Sequence, residues 1–414
     1  MTRLTRPRVL ATMLVAATLA TAGCWPQPGG NPANSNWNAI ESELTIDTVG
    51  TLEQAWSAEG DLDAVFGRHV LGMSAGGDSN SPGAGFVNVT SLDAGTGAQN
   101  WSTDIAPGFI AQGLVTGSAV AVGDQVWGEW LAFAIGPRGG QGCLGGGTRV
   151  DLETGALVGN TNLLSDIMTT GDLAAVKETS FLQDCTFGGT TGLRVLSGDT
   201  AAPAWENTAP GSTQPIAAAG RLIDTLGTTV RSFAAAGCGA PQCQPLWTAD
   251  VGVPLGGLVA DGDRLYTVSD DPSRELLALD IATGAVVWRA SVPSLSGLAA
   301  FGGILYTTSG STLLALDGAG CVSTCSPLWT ATFPGTRLSA NLAGAGGVIY
   351  VASDAGVVSA FDAAGCGAAT CAPVKQVPLG GDPTGALIVA SGHLYAGIHN
   401  PSETFGRVVA FAPA

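Results

Sequence analysis

Residues 278–288 read Ala-Leu-Asp-Ile-Ala-Thr-Gly-Ala-Val-Val-Trp, the pattern A-x-D-x-x-T-G-x-x-x-W. Leu276–Leu279 and Ala285–Trp288 are apolar runs of strand length on either side of a short loop. Gly284 suits a hairpin that closes at positive φ, because glycine has no Cβ to clash. Asp280 is placed to accept hydrogen bonds from free loop amides. Trp288 then carries a large flat surface that must be buried.

The pattern recurs. Ser91–Trp101 holds Asp93, Thr96, Gly97 and Trp101 in register, and Arg149–Gly159 keeps Asp151, Thr154 and Gly155 with Gly159 in the tryptophan place. Val195–Trp205 keeps Thr200 and Trp205. Ser232–Trp247, Ala315–Trp329 and Ala360–Lys375 are longer, each with two cysteines in the loop. First strands therefore fall near 91, 149, 195, 232, 278, 315, 360 and 410, and second strands at 56, 101, 159, 205, 247, 288, 329 and 375. Leu52–Trp56 is a second strand without a first, and Val408–Phe411 a first without a second, so the two ends complete each other. Another apolar pair with a Gly or Asp turn lies between copies, as in Leu258–Val268, which makes four strands per unit. The prediction is all-β: an eight-bladed β-propeller of four-stranded blades over 37–414, its ring closed by the N- and C-terminal strands, leaving no sheet edge exposed at the closure.

Arg3, Arg6 and Arg8 followed by the apolar run Val9–Ala20 read as an export signal over 1–23, too short for a comfortable membrane span. Thr21-Ala22-Gly23-Cys24 resembles the lipobox of bacterial lipoproteins, with Thr21 where leucine is usual, and implies acylation of Cys24. Ordinary cleavage after Ala22 is the rival reading. Trp25–Asn36 is rich in Pro, Gly and Asn, and residues 24–36 read as a flexible tether with no core of its own. The formal net charge of -17 argues against a nucleic-acid backbone as partner, which would need clustered Lys and Arg.

Cys24 leaves eight of the nine cysteines. Cys238/Cys243, Cys321/Cys325 and Cys366/Cys371 occupy the same hairpin loop in three blades, and Cys143 and Cys185 stand before the first strands of neighbouring blades. Disulfides within each pair are the expectation for an exported chain. Zinc would need four ligands in one place, whereas these pairs sit on different blades and His69, His393 and His399 do not accompany them.

On the recurring A-x-D-x-x-T-G-x-x-x-W signature, the chain resembles the pyrroloquinoline-quinone-type β-propeller repeat family. That family includes quinoprotein alcohol dehydrogenases and the non-catalytic outer-membrane assembly lipoprotein of the BamB type. The resemblance implies two alternatives. One is a non-catalytic lipoprotein on the extracytoplasmic face of a membrane, binding an envelope protein or cell-surface ligand without a cofactor. The other is a divergent dehydrogenase using pyrroloquinoline quinone and calcium. Quinone enzymes of this kind commonly use adjacent cysteines, a calcium site and a carboxylate base. No two cysteines here are adjacent, and no D-x-D-x-D-G loop or C-x-x-C-H haem motif occurs. Asp261/Asp263 and Asp270/Asp271 read as solvated turn carboxylates, and Trp127 and Trp130 around Glu129 as packing aromatics. The expectation is a binding scaffold with no catalytic, cofactor or metal residues.

Overall fold

The computed structural model describes residues 24–414 apart from 28, 77–85, 106–109, 136–140, 162–164, 170–172, 182–186, 210–214, 271–273, 293–294, 321–324 and 401–405. Eight blades follow one another around a central channel, spanning 64–104, 110–161, 165–207, 216–250, 255–291, 295–332, 337–378, and 382–413 completed by 52–59. Blade 5 shows the plan. Its four antiparallel strands are Leu255–Asp261 beside the channel, Arg264–Ser269, Glu275–Asp280, and Val286–Ser291 at the rim. In blade 8 the rim strand Leu52–Glu59 pairs with the C-terminal Arg407–Pro413, so the ring closes as its sequence predicts.

The register also agrees. Third-strand residues Ser91, Arg149, Val195, Ser232, Ala278, Ala315, Ala360 and Ala410 lie opposite Trp101, Gly159, Trp205, Trp247, Trp288, Trp329, Lys375 and Trp56. The hairpin motif latches neighbouring blades. Asp280 Oδ1 accepts from the Thr283 amide and hydroxyl, which fixes the turn. The turn presents Gly284, at φ +75°, to Trp247 of the preceding blade, so closely that a Cβ would lie 2.5 Å from the indole. Trp247 Nε1 then donates to Ile281 O at the same turn. Trp56, Trp101, Trp205 and Trp288 repeat this donation to the next blade. Tyr266, Tyr306 and Tyr395 add a hydroxyl donated to the next blade's turn. The rim and second strands are thus tied blade to blade by packed rings and the hydrogen bonds they donate, while Trp329 Nε1 and the Tyr350 hydroxyl are buried without a partner among the described residues.

Two disulfides, Cys238–Cys243 and Cys366–Cys371, form as expected, and Cys325 is also disulfide-bonded. Cys185 and Cys321 lie outside the described residues. So does the side chain of Cys143, which stands in the third strand of blade 2, Gln141–Asp151, and the 143–185 pairing lies outside with it. The disulfide loops do more than close a hairpin. Thr370–Cys371 adds a parallel fifth strand to the rim strand Trp329–Thr332 of the preceding blade. Likewise the Glu206 amide donates to Pro241 O and the Cys243 amide to Glu206 O. The cross-linked loop covers a rim edge whose backbone groups would otherwise be open to pairing with another chain.

The tether expected over 24–36 is corrected by the structure. Trp25 and Trp37 are each 2% exposed, and Gln27 and Ser35 are buried. The segment 25–38 is a strap across the channel, touching all eight blades in chain order. Trp25 exchanges backbone hydrogen bonds with Val65 of blade 1; Pro26 O accepts from Ala121 of blade 2; Gln27 Oε1 accepts from Thr169 of blade 3. Pro32, Ala33, Ser35 and Asn36 carbonyls accept from Ala217, Ala260, Ala300 and Gly344 of blades 4 to 7. Asn38 Nδ2 reaches Val389 O of blade 8. The physical reason lies in the ring itself. A channel-side strand has no neighbour on its inner edge, and its free N–H and C=O groups need partners. Asn and Pro-rich backbone supplies them without requiring a regular strand.

Candidate functional site

Above the strap, on the side away from the turns between first and second strands, the channel widens into a cup of about 670 Å³. Its floor is the strap, through Trp25, Gly29, Asn34 and Asn36. Asn34 and Asn36 sit at φ +54° and +52°, a left-handed conformation that asparagine tolerates. From there their side-chain amides donate to Leu258 O and Leu298 O. These carbonyls are presented by breaks in strand register between Leu255 and Leu258 and between Ser296 and Ala299, with similar breaks in blades 7 and 8. Such bulges re-aim backbone groups at the axis, and Gly256, Gly257, Gly297 and Gly385 keep that wall bare of side chains.

Asp63 is the carboxylate of the cup. Its Oδ2 accepts from Met73 N and Ala119 N, both at 3.0 Å, and so bridges blades 1 and 2. Part of its surface stays accessible, and that part faces the cup it lines. Burial, with the charge of nearby Asp61, pushes its pKa up to about 7 against the pull of the two amides. Burial also raises Asp61, opposed by His399. Arg274 is the cation in the lining, 3.9 Å from Asp270. None of these cup residues stands out in the sequence. The x-G-L step inside the channel strands of blades 5 and 6, at 256–258 and 296–298, is the signal that could have located that part of the wall.

Asp261 accepts from Gly303 N and Asp263 pairs with Arg264. Trp127 is buried between blades 2 and 3 with the Arg149 guanidinium over its ring. Asp271 and the side chain of Trp130 lie outside the described residues. His69 is buried against Ser91 and Glu153, His393 stacks on Tyr395, and neither meets a cysteine. Among the described residues no group of three or more His, Cys, Asp or Glu is placed to hold a metal ion.

The family described as outer membrane protein assembly factor BamB matches residues 227–322 and 273–366. That match, with the eight-bladed ring, supports a likeness to the pyrroloquinoline-quinone-like β-propeller family. No curated protein sequence matches this propeller. In three dimensions it is similar to BamB from Moraxella catarrhalis, at 18% identity and a TM-score of 0.55, over 87% of this chain and 97% of that one. It is also similar to the quinohemoprotein alcohol dehydrogenase ADHIIG from Pseudomonas putida HK5, at 11% identity and a TM-score of 0.65, over 94% and 80%. A europium-containing methanol dehydrogenase aligns at 11% identity and a TM-score of 0.58, over 94% and 98%. At these identities the likeness is one of fold, which hosts several functions.

Pyrroloquinoline quinone is a planar tricarboxylate. Among the described residues the cup of this propeller offers it one guanidinium, already close to Asp270, and sets the Asp63 carboxyl against it. Trp25 is the aromatic in that lining, and its indole is already buried, 2% exposed and packed against Gly30. These residues do not fit the quinone: three carboxylates would be desolvated with too few cations to compensate them.

Proposed function

We propose that this propeller is an extracytoplasmic scaffold, tethered by lipid on Cys24, that binds an envelope protein or cell-surface ligand and turns nothing over. The observation that carries the reading is the strap. Fourteen residues next to the anchor position are spent on locking all eight channel strands to one another, which favours a rigid platform for binding loops. Disulfide-braced loops over the rim edges suit an oxidising compartment outside the cytoplasm. The likeness to BamB supports a protein partner, and the likeness to quinone dehydrogenases supports the competing enzyme reading on fold alone.

The test is affinity capture of the mature chain in envelope extracts, followed by cross-link mapping. The expected result is one envelope protein recovered in stoichiometric amount, with cross-links confined to one face of the ring. Recovery of nothing above an inverted-sequence control would contradict a scaffold.

A further inference from the structure

We propose that the end of the ring carrying the hairpin turns lies directly against a lipid bilayer, so that the cup opens away from the membrane. The inference rests on the reading of Cys24 as the lipidated residue and adds which face the lipid holds.

The first observation is the direction of the strap. Trp25 pairs antiparallel with Val65 in the channel strand Ala64–Phe66. That strand runs toward its turn at Gly67 and Arg68, so Cys24 lies on the turn side of Trp25. Cys24 is free, partly exposed, and one residue from a tryptophan that is 2% exposed. One residue spans at most about 3.6 Å, so lipid on Cys24 leaves no slack between bilayer and ring. The segment from 39 to 51 then crosses this same end toward the rim, where Glu41 Oε2 accepts from Gly392 N in the corresponding turn of blade 8.

The second observation is independent of the strap. Leu246, Leu328 and Val374 stand immediately before the rim strands of blades 4, 6 and 7, and Val286 and Val287 begin that of blade 5. All are exposed and all adjoin the hairpin turns, as does Phe301 at the end of its channel strand. Of the exposed large apolar side chains among the described residues, Leu226 alone lies in a turn at the cup end. An apolar fringe of this kind fits the headgroup–acyl boundary. The hairpin turns also carry Asp93, Asp151, Asp280, Asp317 and Asp362. Their charge opposes anionic headgroups, so the surface recognised is a zwitterionic one, and the acyl anchor holds the ring there.

The test couples the Cys24 thiol of the purified mature chain to a maleimide-bearing diacyl lipid in phosphatidylcholine vesicles. Hydrogen exchange is then compared with the uncoupled chain in solution. Peptides covering the hairpin turns at 94–97 and 282–284 should exchange severalfold more slowly on vesicles, with the turn at 226–229 unchanged. Slowing at 226–229 instead, or no change at either end, overturns the orientation. Chemical coupling makes this outcome independent of the cell. Intact mass of the chain produced with its leader separately shows whether Cys24 is acylated in vivo, and a mass without acyl chains removes the anchor reading alone.

Discussion

Replacing Trp37 by alanine should cost about 3–5 kcal/mol of folding stability, the usual loss for a buried tryptophan. Trp37 is 2% exposed, stacks on Phe301 with ring centroids 4.4 Å apart, and lies 5.9 Å from the ring of Tyr306. Its backbone pairs with Gly344, whose missing Cβ makes room for the indole. Truncation empties that space at the junction of blades 6 and 7 and frees the end of the strap. Urea unfolding of the two chains measures the difference. A residue in an unattached linker would change stability by no more than about 0.5 kcal/mol, so a small effect would mean that the strap does not hold the ring.

The second large effect is in pH. Asp63 has a folded-state pKa near 7 against an ordinary value of 3.8. A raised carboxyl binds its proton more tightly when folded. Its contribution to stability is therefore complete below about pH 4 and is lost as pH rises through 7. About three units correspond to up to about 4 kcal/mol, less whatever water in the cup returns to the carboxylate. Asp61, also raised, adds in the same direction. Exposed turn carboxylates such as Asp93, Asp151 and Asp280 are held low by their threonine partners and act in the opposite sense, below about pH 4. Between pH 4 and 7 wild-type stability should fall, and Asp63→Asn should remove most of that fall. Unfolding midpoints across this range decide it. Equal slopes for the two chains would place the Asp63 carboxyl in ordinary solvent.

Much of the ring is legible in the sequence because its hairpin motif is a local device repeated in register. Asp280, Thr283 and Gly284 shape one turn, and Trp247 recognises it from the neighbouring blade. The motif therefore records contacts between blades as well as within them. All four tyrosines of the chain fall at equivalent second-strand positions of blades 5 to 8, a further repeat that the same reading could have used. The strap was not legible for a physical reason. Asn34, Asn36 and Asn38 look like linker residues until the inner edges they satisfy are brought together by eight blades distant in sequence. Composition reports what a segment can bury by itself, and these residues bury themselves against carbonyls more than 200 positions away. Asp63 is hidden for the same reason: its partner Ala119 belongs to the next blade, and its pKa is set by the channel wall.

The scaffold reading is tested most directly by titrating purified mature protein with pyrroloquinoline quinone and Ca²⁺ in a calorimeter, with dye-linked oxidation of alcohols and sugars followed on the same sample. The account predicts no saturable heat and no oxidation above the protein-free rate. Stoichiometric quinone binding accompanied by dye reduction would contradict it and make this propeller a dehydrogenase.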